Sequence, residues 1–204
     1  MKTTITRLAL TASAAGLALV SGGALAESTY GYAASGAGTV TATARINLSV
    51  TVPKLILLRI GSASTTVDTE SWTVSASIPG TPTVPAATAN NVPVNWSGAV
   101  PTLTASAPPA ALNVFAWTNA TTPTIDCAMG AWTGPAGGPA NANFTITVTG
   151  TLPHPGANLG ACASNVFAAN TLASGTWQYA LGGTPGSWPA GVYTNTITYT
   201  ATGI

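Results

Sequence analysis

The chain has 204 residues, and only 4% of them are charged, whereas about a quarter of the residues in an ordinary soluble domain are. With five basic side chains it offers no patch that would neutralise a row of phosphates, so nucleic-acid binding is not expected. The hydrophobic content of 46% excludes disorder of the highly charged kind, and the scarcity of Glu and Lys excludes a coiled coil or helix bundle.

The first 26 residues have the pattern of a secretory signal peptide. Lys2 and Arg7 precede an apolar run over 8–20, and Ala24-Leu-Ala26 is a small-x-small cleavage site. The apolar run is shorter than the roughly 20 residues that a spanning helix needs, and no second long run follows. We therefore predict a signal peptide over 1–26 and a single exported domain over 27–204, without a membrane span in the mature chain. Its location would be the periplasm, the cell surface or the extracellular space.

The clearest strand pattern in the sequence lies over 39–52. Polar residues alternate there with apolar ones, which are Val40, Ala42, Ala44, Ile46, Leu48, Val50 and Val52. Strict period-2 alternation predicts a half-buried strand. The apolar run 54–60 follows Pro53 and is predicted to be a second strand, buried on both faces.

Short Thr-rich segments of the same kind recur through the rest of the chain. Further strands are predicted over 72–78, 92–96, 102–105, 112–117, 124–129, 144–149, 176–181 and 193–201. The proline-rich stretch 79–109 is predicted to cross the surface, because proline is excluded from central strands. No helical period persists after the first 26 residues. The pattern predicts an all-β fold, an antiparallel immunoglobulin-like β-sandwich that is either complete or lacks one strand.

Cys127 and Cys162 are the only cysteines of the chain. An even number of cysteines in an exported protein predicts a disulfide. A metal site is not expected, because their spacing matches no Cys/His template and His154 is the only histidine.

No arrangement of residues in the sequence indicates catalysis. His154 lies between two prolines, and no nucleophile-elbow spacing is present. Asp68 and Glu70 are more typical of a solvated strand edge than of a glycosidase pair. We therefore expect a protein that is not an enzyme, with no catalytic residue and no cofactor.

Two tryptophans lie in loops rich in glycine and proline. Trp132 and Trp188 are predicted to be exposed there, and flat aromatic faces are common in sugar-binding modules. A secreted carbohydrate-binding or adhesive β-sandwich module, with a glycan as its ligand, is thus an alternative function.

The segment from Gly191-Val-Tyr193-Thr-Asn195 through the alternating strand that follows resembles the end of bacterial chaperone–usher fimbrial subunits and of spore-coat-U-like secreted domains. The alternating segment over 40–52 is similar in style to a pilin N-terminal region. This resemblance implies a structural subunit of a surface fibre or coat that assembles by strand exchange, with self-association or a periplasmic chaperone as partner. The candidate strand-exchange residues are Val40, Ala42, Ala44, Ile46 and Leu48.

Overall fold

The structure, a computed structural model, describes residues 28–63, 65–80 and 83–204. The predicted signal peptide over 1–26 lies outside the described residues. The chain divides into two units, Met1–Val52 and Pro53–Ile204. In the part of the chain that is described, no helix is both long enough and apolar enough to cross a membrane.

The second unit is built from strands, which confirms the predicted all-β class. In chain order its strands are Ile56–Ile60 (β1), Val74–Ser77 (β2), Thr102–Ala105 (β3), Leu112–Thr118 (β4), Thr124–Met129 (β5), Phe144–Gly150 (β6), Asn165–Val166 (β7), Ala173–Leu181 (β8) and Ile197–Thr202 (β9). Short 3-10 turns occur at Asn141–Asn143 and Pro185–Ser187.

The strands form two main antiparallel sheets and a separate hairpin. The larger sheet has the order β1-β4-β8-β6, the smaller sheet has the order β7-β5-β9, and β2 pairs with β3. Side chains from both main sheets share one core. The architecture is therefore a β-sandwich.

Alternation along the central strands determines which side chains enter that core. In β4, Val114, Ala116 and Thr118 are buried, whereas the residues between them are half-buried on the outer face. Trp177 of β8 is fully buried, and its indole N–H donates to the carbonyl of Leu152 at 3.2 Å. A buried tryptophan with its N–H satisfied is a stable centre for such a core.

The strand order of the two main sheets follows that of an immunoglobulin constant domain, except that the smaller sheet has β7 as an extra strand beside β5 and lacks one strand among the described residues. In that fold one sheet has the order A-B-E-D and the other the order C-F-G. Here β1-β4-β8-β6 corresponds to A-B-E-D, and β5-β9 corresponds to C-F. Among the described residues no strand occupies the place beside β9 that corresponds to strand G.

The predicted disulfide between Cys127 and Cys162 is confirmed. It joins two residues 35 positions apart, with their Cα atoms 5.4 Å from each other. Cys127 lies in β5, and Cys162 lies in the loop before β7. The bridge therefore fastens that loop to the smaller sheet.

Two expectations for the first half of the chain are wrong. Residues 39–52 form no strand and are exposed, because alternation defines an apolar face but pairing requires a partner strand. The run 54–60 is not buried on both faces, because only the face with Leu58 and Ile60 packs on the core, while Leu57 and Arg59 on the other face are exposed.

Differences elsewhere concern the ends and number of strands. The predicted strand over 92–96 is reduced to an isolated bridge between Gly80 and Trp96. The last strand begins at Ile197, after the predicted start at Tyr193. The two-residue strand β7 carries too short a pattern for sequence to reveal.

Candidate strand-binding site

The sandwich has an open side, formed by the edges of its two main sheets. β1 is the edge strand of the larger sheet, and β9 is the edge strand of the smaller sheet. The two strands lie in contact with each other. Unpaired edges of this kind can accept a further strand.

Backbone hydrogen bonds indicate which residues of β9 face the open edge. The N–H of Gly130 donates to the carbonyl of Thr196 at 2.8 Å, so these opposed residues form a hydrogen-bonded pair. Such pairs alternate along an antiparallel ladder. It follows that the backbone groups of Ile197, Tyr199 and Ala201 point away from β5.

The same argument applies to β1. The N–H of Gly61 donates to the carbonyl of Asn113 at 2.8 Å, opposite it in the register. By alternation, the backbone groups of Ile56, Leu58 and Ile60 point away from β4.

On both edges the residues with outward-pointing backbone groups direct their side chains inward. Those of Leu58, Ile60, Ile197, Tyr199 and Ala201 pack on the core but are only partly buried. Ile56 lies opposite the buried Thr118 and remains 37% exposed. These partly exposed apolar side chains form the apolar floor of the open side, next to the outward-pointing backbone groups of β1 and β9.

Asn119 fixes the chain just before β1. Its side-chain Oδ1 accepts the N–H of Leu55 at 2.8 Å, and its Nδ2 donates to the carbonyl of Pro53 at 2.7 Å. The Thr118 hydroxyl donates to the carbonyl of Leu55 at 2.8 Å. These contacts continue the attachment of β1 to β4 beyond the last paired residue.

The edge strand at the far end of the larger sheet is partly covered. The N–H of Ile146 in β6 donates to the carbonyl of Ala157 at 3.1 Å, and the N–H of Leu159 donates to the carbonyl of Phe144 at 3.0 Å. A short extended segment thus occupies part of the free edge of β6. This contrasts with β9, where the corresponding groups have no strand partner among the described residues.

The candidate strand-exchange residues all lie in the first unit. Ile46 is 80% exposed and Leu48 is 85% exposed, and Val40, Ala42 and Ala44 are exposed as well. The N–H of Thr43 donates to the hydroxyl of Thr29 at 2.9 Å, and that hydroxyl donates to the Thr43 carbonyl. In the described part of the chain this segment joins no sheet.

The two tryptophans predicted to be exposed are half-buried. Trp132 stacks on Phe144 with ring centroids 5.4 Å apart, and its indole N–H donates to Asn141 Oδ1 at 2.7 Å. Trp188 is half-buried beside Gly183. Both rings are therefore partly covered by neighbouring residues. Trp96, at 58%, is the more exposed indole.

The titratable side chains serve local structure. Asp68 accepts the N–H of Ser62 at 2.5 Å and the hydroxyl of Ser62 at 2.7 Å, and these bonds lower the pKa of Asp68. Burial, with a smaller contribution from Asp68, raises the pKa of Glu70. Within 28–63, 65–80 and 83–204, no group of three or more His, Cys, Asp or Glu side chains is placed to bind a metal ion.

No protein-family model, curated protein or solved structure matches the chain.

Proposed function

We propose that the protein is a non-enzymatic structural subunit of a bacterial surface fibre or coat that assembles by strand exchange. The observation that carries the proposal is the unpaired edge of β9 in a chain that also exposes a long alternating apolar segment over 40–52. In this proposal the segment of one copy fills the open side of the next. The alternating segment over 40–52 is the donor, and the open side at the edges of β1 and β9 is the acceptor.

The two partners are chemically complementary. A donor strand would bond to the outward-pointing backbone groups of β9 and place every second side chain on the apolar floor. Full burial of a residue such as Ile46 or Leu48 stabilises a complex by about 1.5–3 kcal/mol. Several such residues in register would offset the entropy lost when the donor becomes ordered.

The sparse charge of the chain favours association between copies. After Glu70, the only charged side chain is Asp126. Copies of such a chain experience little mutual repulsion. Before assembly, an open edge of this kind needs a temporary occupant, and a periplasmic chaperone that supplies a strand would suit it.

A pair of charge substitutions on neighbouring residues tests the proposal. Ile46→Asp places a carboxylate on the apolar face of the donor, and Asn47→Asp places the same charge on its polar face. Because a buried unpaired charge is strongly unfavourable, Ile46→Asp should give a folded monomer. Asn47→Asp should assemble as the unaltered protein does. Size-exclusion chromatography gives the assembly state, and circular dichroism gives the folding.

Three outcomes would contradict the proposal. The first is an unaltered mature protein that stays monomeric at every concentration tested. The second is an Ile46→Asp variant that assembles normally. The third is an Ile46→Asp variant that fails to fold, since the segment would then belong to the subunit's own core.

A further inference from the structure

A hydrogen-bonded chain of three polar side chains joins the loop around His154 to two strands. The imidazole Nε2 lies 2.7 Å from the hydroxyl of Tyr199 in β9, and that hydroxyl lies 2.6 Å from the hydroxyl of Tyr179 in β8. On the other side of the ring, Nδ1 lies 2.6 Å from the carbonyl oxygen of Gly156. His154 is only 4% exposed.

The hydrogens of this chain can be assigned from its chemistry. A carbonyl oxygen only accepts, so Nδ1 of the neutral ring carries the hydrogen and donates it to Gly156. Nε2 is then an acceptor and receives the hydroxyl hydrogen of Tyr199. The oxygen of Tyr199 in turn accepts the hydroxyl hydrogen of Tyr179. Each hydroxyl donates once, and all bonds run in one direction.

We propose that this chain is an acid-released latch, which holds the loop 151–156 against β8 and β9 while His154 is neutral. Protonation places a hydrogen on Nε2, directed at the oxygen of Tyr199. The Tyr199 hydroxyl must then rotate, and either its oxygen accepts from both Nε2 and Tyr179 or the bond between the two tyrosines reverses direction. The latch does not depend on the proposed function.

The described residues that pack against the ring are aromatic, and none of them carries a negative charge. The rings against it are Trp177 and Tyr179 of β8 and Tyr199 of β9. One charged side chain, Glu70, acts electrostatically on this cluster, where it contributes to the raised pKa of Tyr179. Burial lowers the pKa of His154, and its bond to Gly156 opposes this only in part. The charged imidazole is therefore more stable in an opened loop, where water reaches it.

Other contacts limit the opening to the loop. The disulfide between Cys162 and Cys127 fastens the chain that follows the loop 151–156 to β5. The side-chain amide of Asn165 also holds the backbone, because its Nδ2 donates to the carbonyl of His154 at 2.7 Å. A local opening, rather than complete unfolding, is the expected consequence of protonation.

The sign of the pH dependence follows from the lowered pKa. The open form takes up a proton near the ordinary histidine pKa of 6.5, and the closed form takes it up only at lower pH. The contribution of neutral His154 to the closed loop is thus complete above about pH 7.5 and is progressively lost as the pH falls below 6.5. Between the two pKa values, the open population rises by up to about tenfold for each pH unit.

Two measurements on the unaltered protein test the latch. His154 is the only histidine, so its proton NMR signal gives its pKa directly, with an expected value below 6.5. Hydrogen–deuterium exchange, corrected for the intrinsic effect of pH, should show protection of 151–156 falling between about pH 7.5 and pH 5. Strands β4 and β5 should keep their protection. A pKa at or above 6.5, or unchanged protection, would overturn the proposal.

Variants separate the latch from general acid sensitivity. His154→Gln retains an acceptor for Tyr199 but does not titrate. Its loop should therefore show the same corrected exchange at about pH 7.5 and at pH 5. Tyr199→Phe removes the latching hydroxyl and should raise exchange of 151–156 already at neutral pH. Tyr193→Phe is the matched control, since that hydroxyl donates to Pro189 outside the latch. Acid-dependent exchange that persists in His154→Gln would refute the role of the imidazole.

Discussion

At the scale of single residues, the tightest constraint in the larger sheet is the pairing of two glycines. Gly150 of β6 lies opposite Gly175 of β8. A Cβ atom on Gly175 would collide with the carbonyl oxygen of Thr149, and one on Gly150 would collide with that of Ser174. The two backbones approach so closely that neither position has room for a side chain.

We predict that Gly175→Ala destabilises the domain by about 1–3 kcal/mol or more, because the obstructing atoms belong to backbone and cannot rotate away. Gly186→Ala is the control, since a Cβ there meets nothing within 4 Å. Urea unfolding of both variants beside the unaltered protein measures the difference. Equal stability of the two variants would show that the strands are not in this close register.

At the scale of elements, β1 depends on Asn119 for its position. The side chain binds the backbone of Pro53 and Leu55 in the manner of an adjacent strand. These bonds hold the backbone just before β1 against the end of β4.

Asn119→Ala should lower the free energy of unfolding by about 1–3 kcal/mol, since it removes two hydrogen bonds, each worth about 0.5–1.5 kcal/mol. Asn113→Ala, at an exposed position of β4, is expected to change stability by less than about 0.5 kcal/mol. Hydrogen–deuterium exchange should show that the loss of protection in Asn119→Ala is concentrated in 53–60. Uniform loss over the whole sandwich would argue against a local role.

Local patterns predicted some strands residue for residue and others poorly. The ranges 102–105 and 124–129 coincide with β3 and β5, because short alternating runs between turn residues are determined locally. The equally regular range 39–52 is not a strand, since alternation says nothing about the presence of a partner.

The residues of the acceptor could not be predicted from the sequence, because a local pattern does not show which strands pair. Ile197 and Tyr199 were recognised as members of a strand, but which strands form the edges is a property of the whole topology. Asn119 carried no signal, because its role requires β1 and β4 to be neighbours. The disulfide was predictable, since two cysteines offer only one pairing.

In the proposed assembly, the donor of one copy occupies the acceptor of another. Both surfaces are apolar, and neither carries a strand partner within the described residues. The native cysteines are bonded to each other, so they leave thiol chemistry free for added probes.

Disulfide trapping between two differently tagged copies tests this claim most directly. One copy carries Leu48→Cys, and the other carries Ile56→Cys, Ile197→Cys or Ala201→Cys on the acceptor floor. Because each chain has a single added cysteine, a cross-link requires two copies. We predict a mixed-tag product with at least one acceptor variant and none when Asn47→Cys replaces Leu48→Cys. No mixed-tag product from assembled material, or equal yield from Asn47→Cys, would contradict the account.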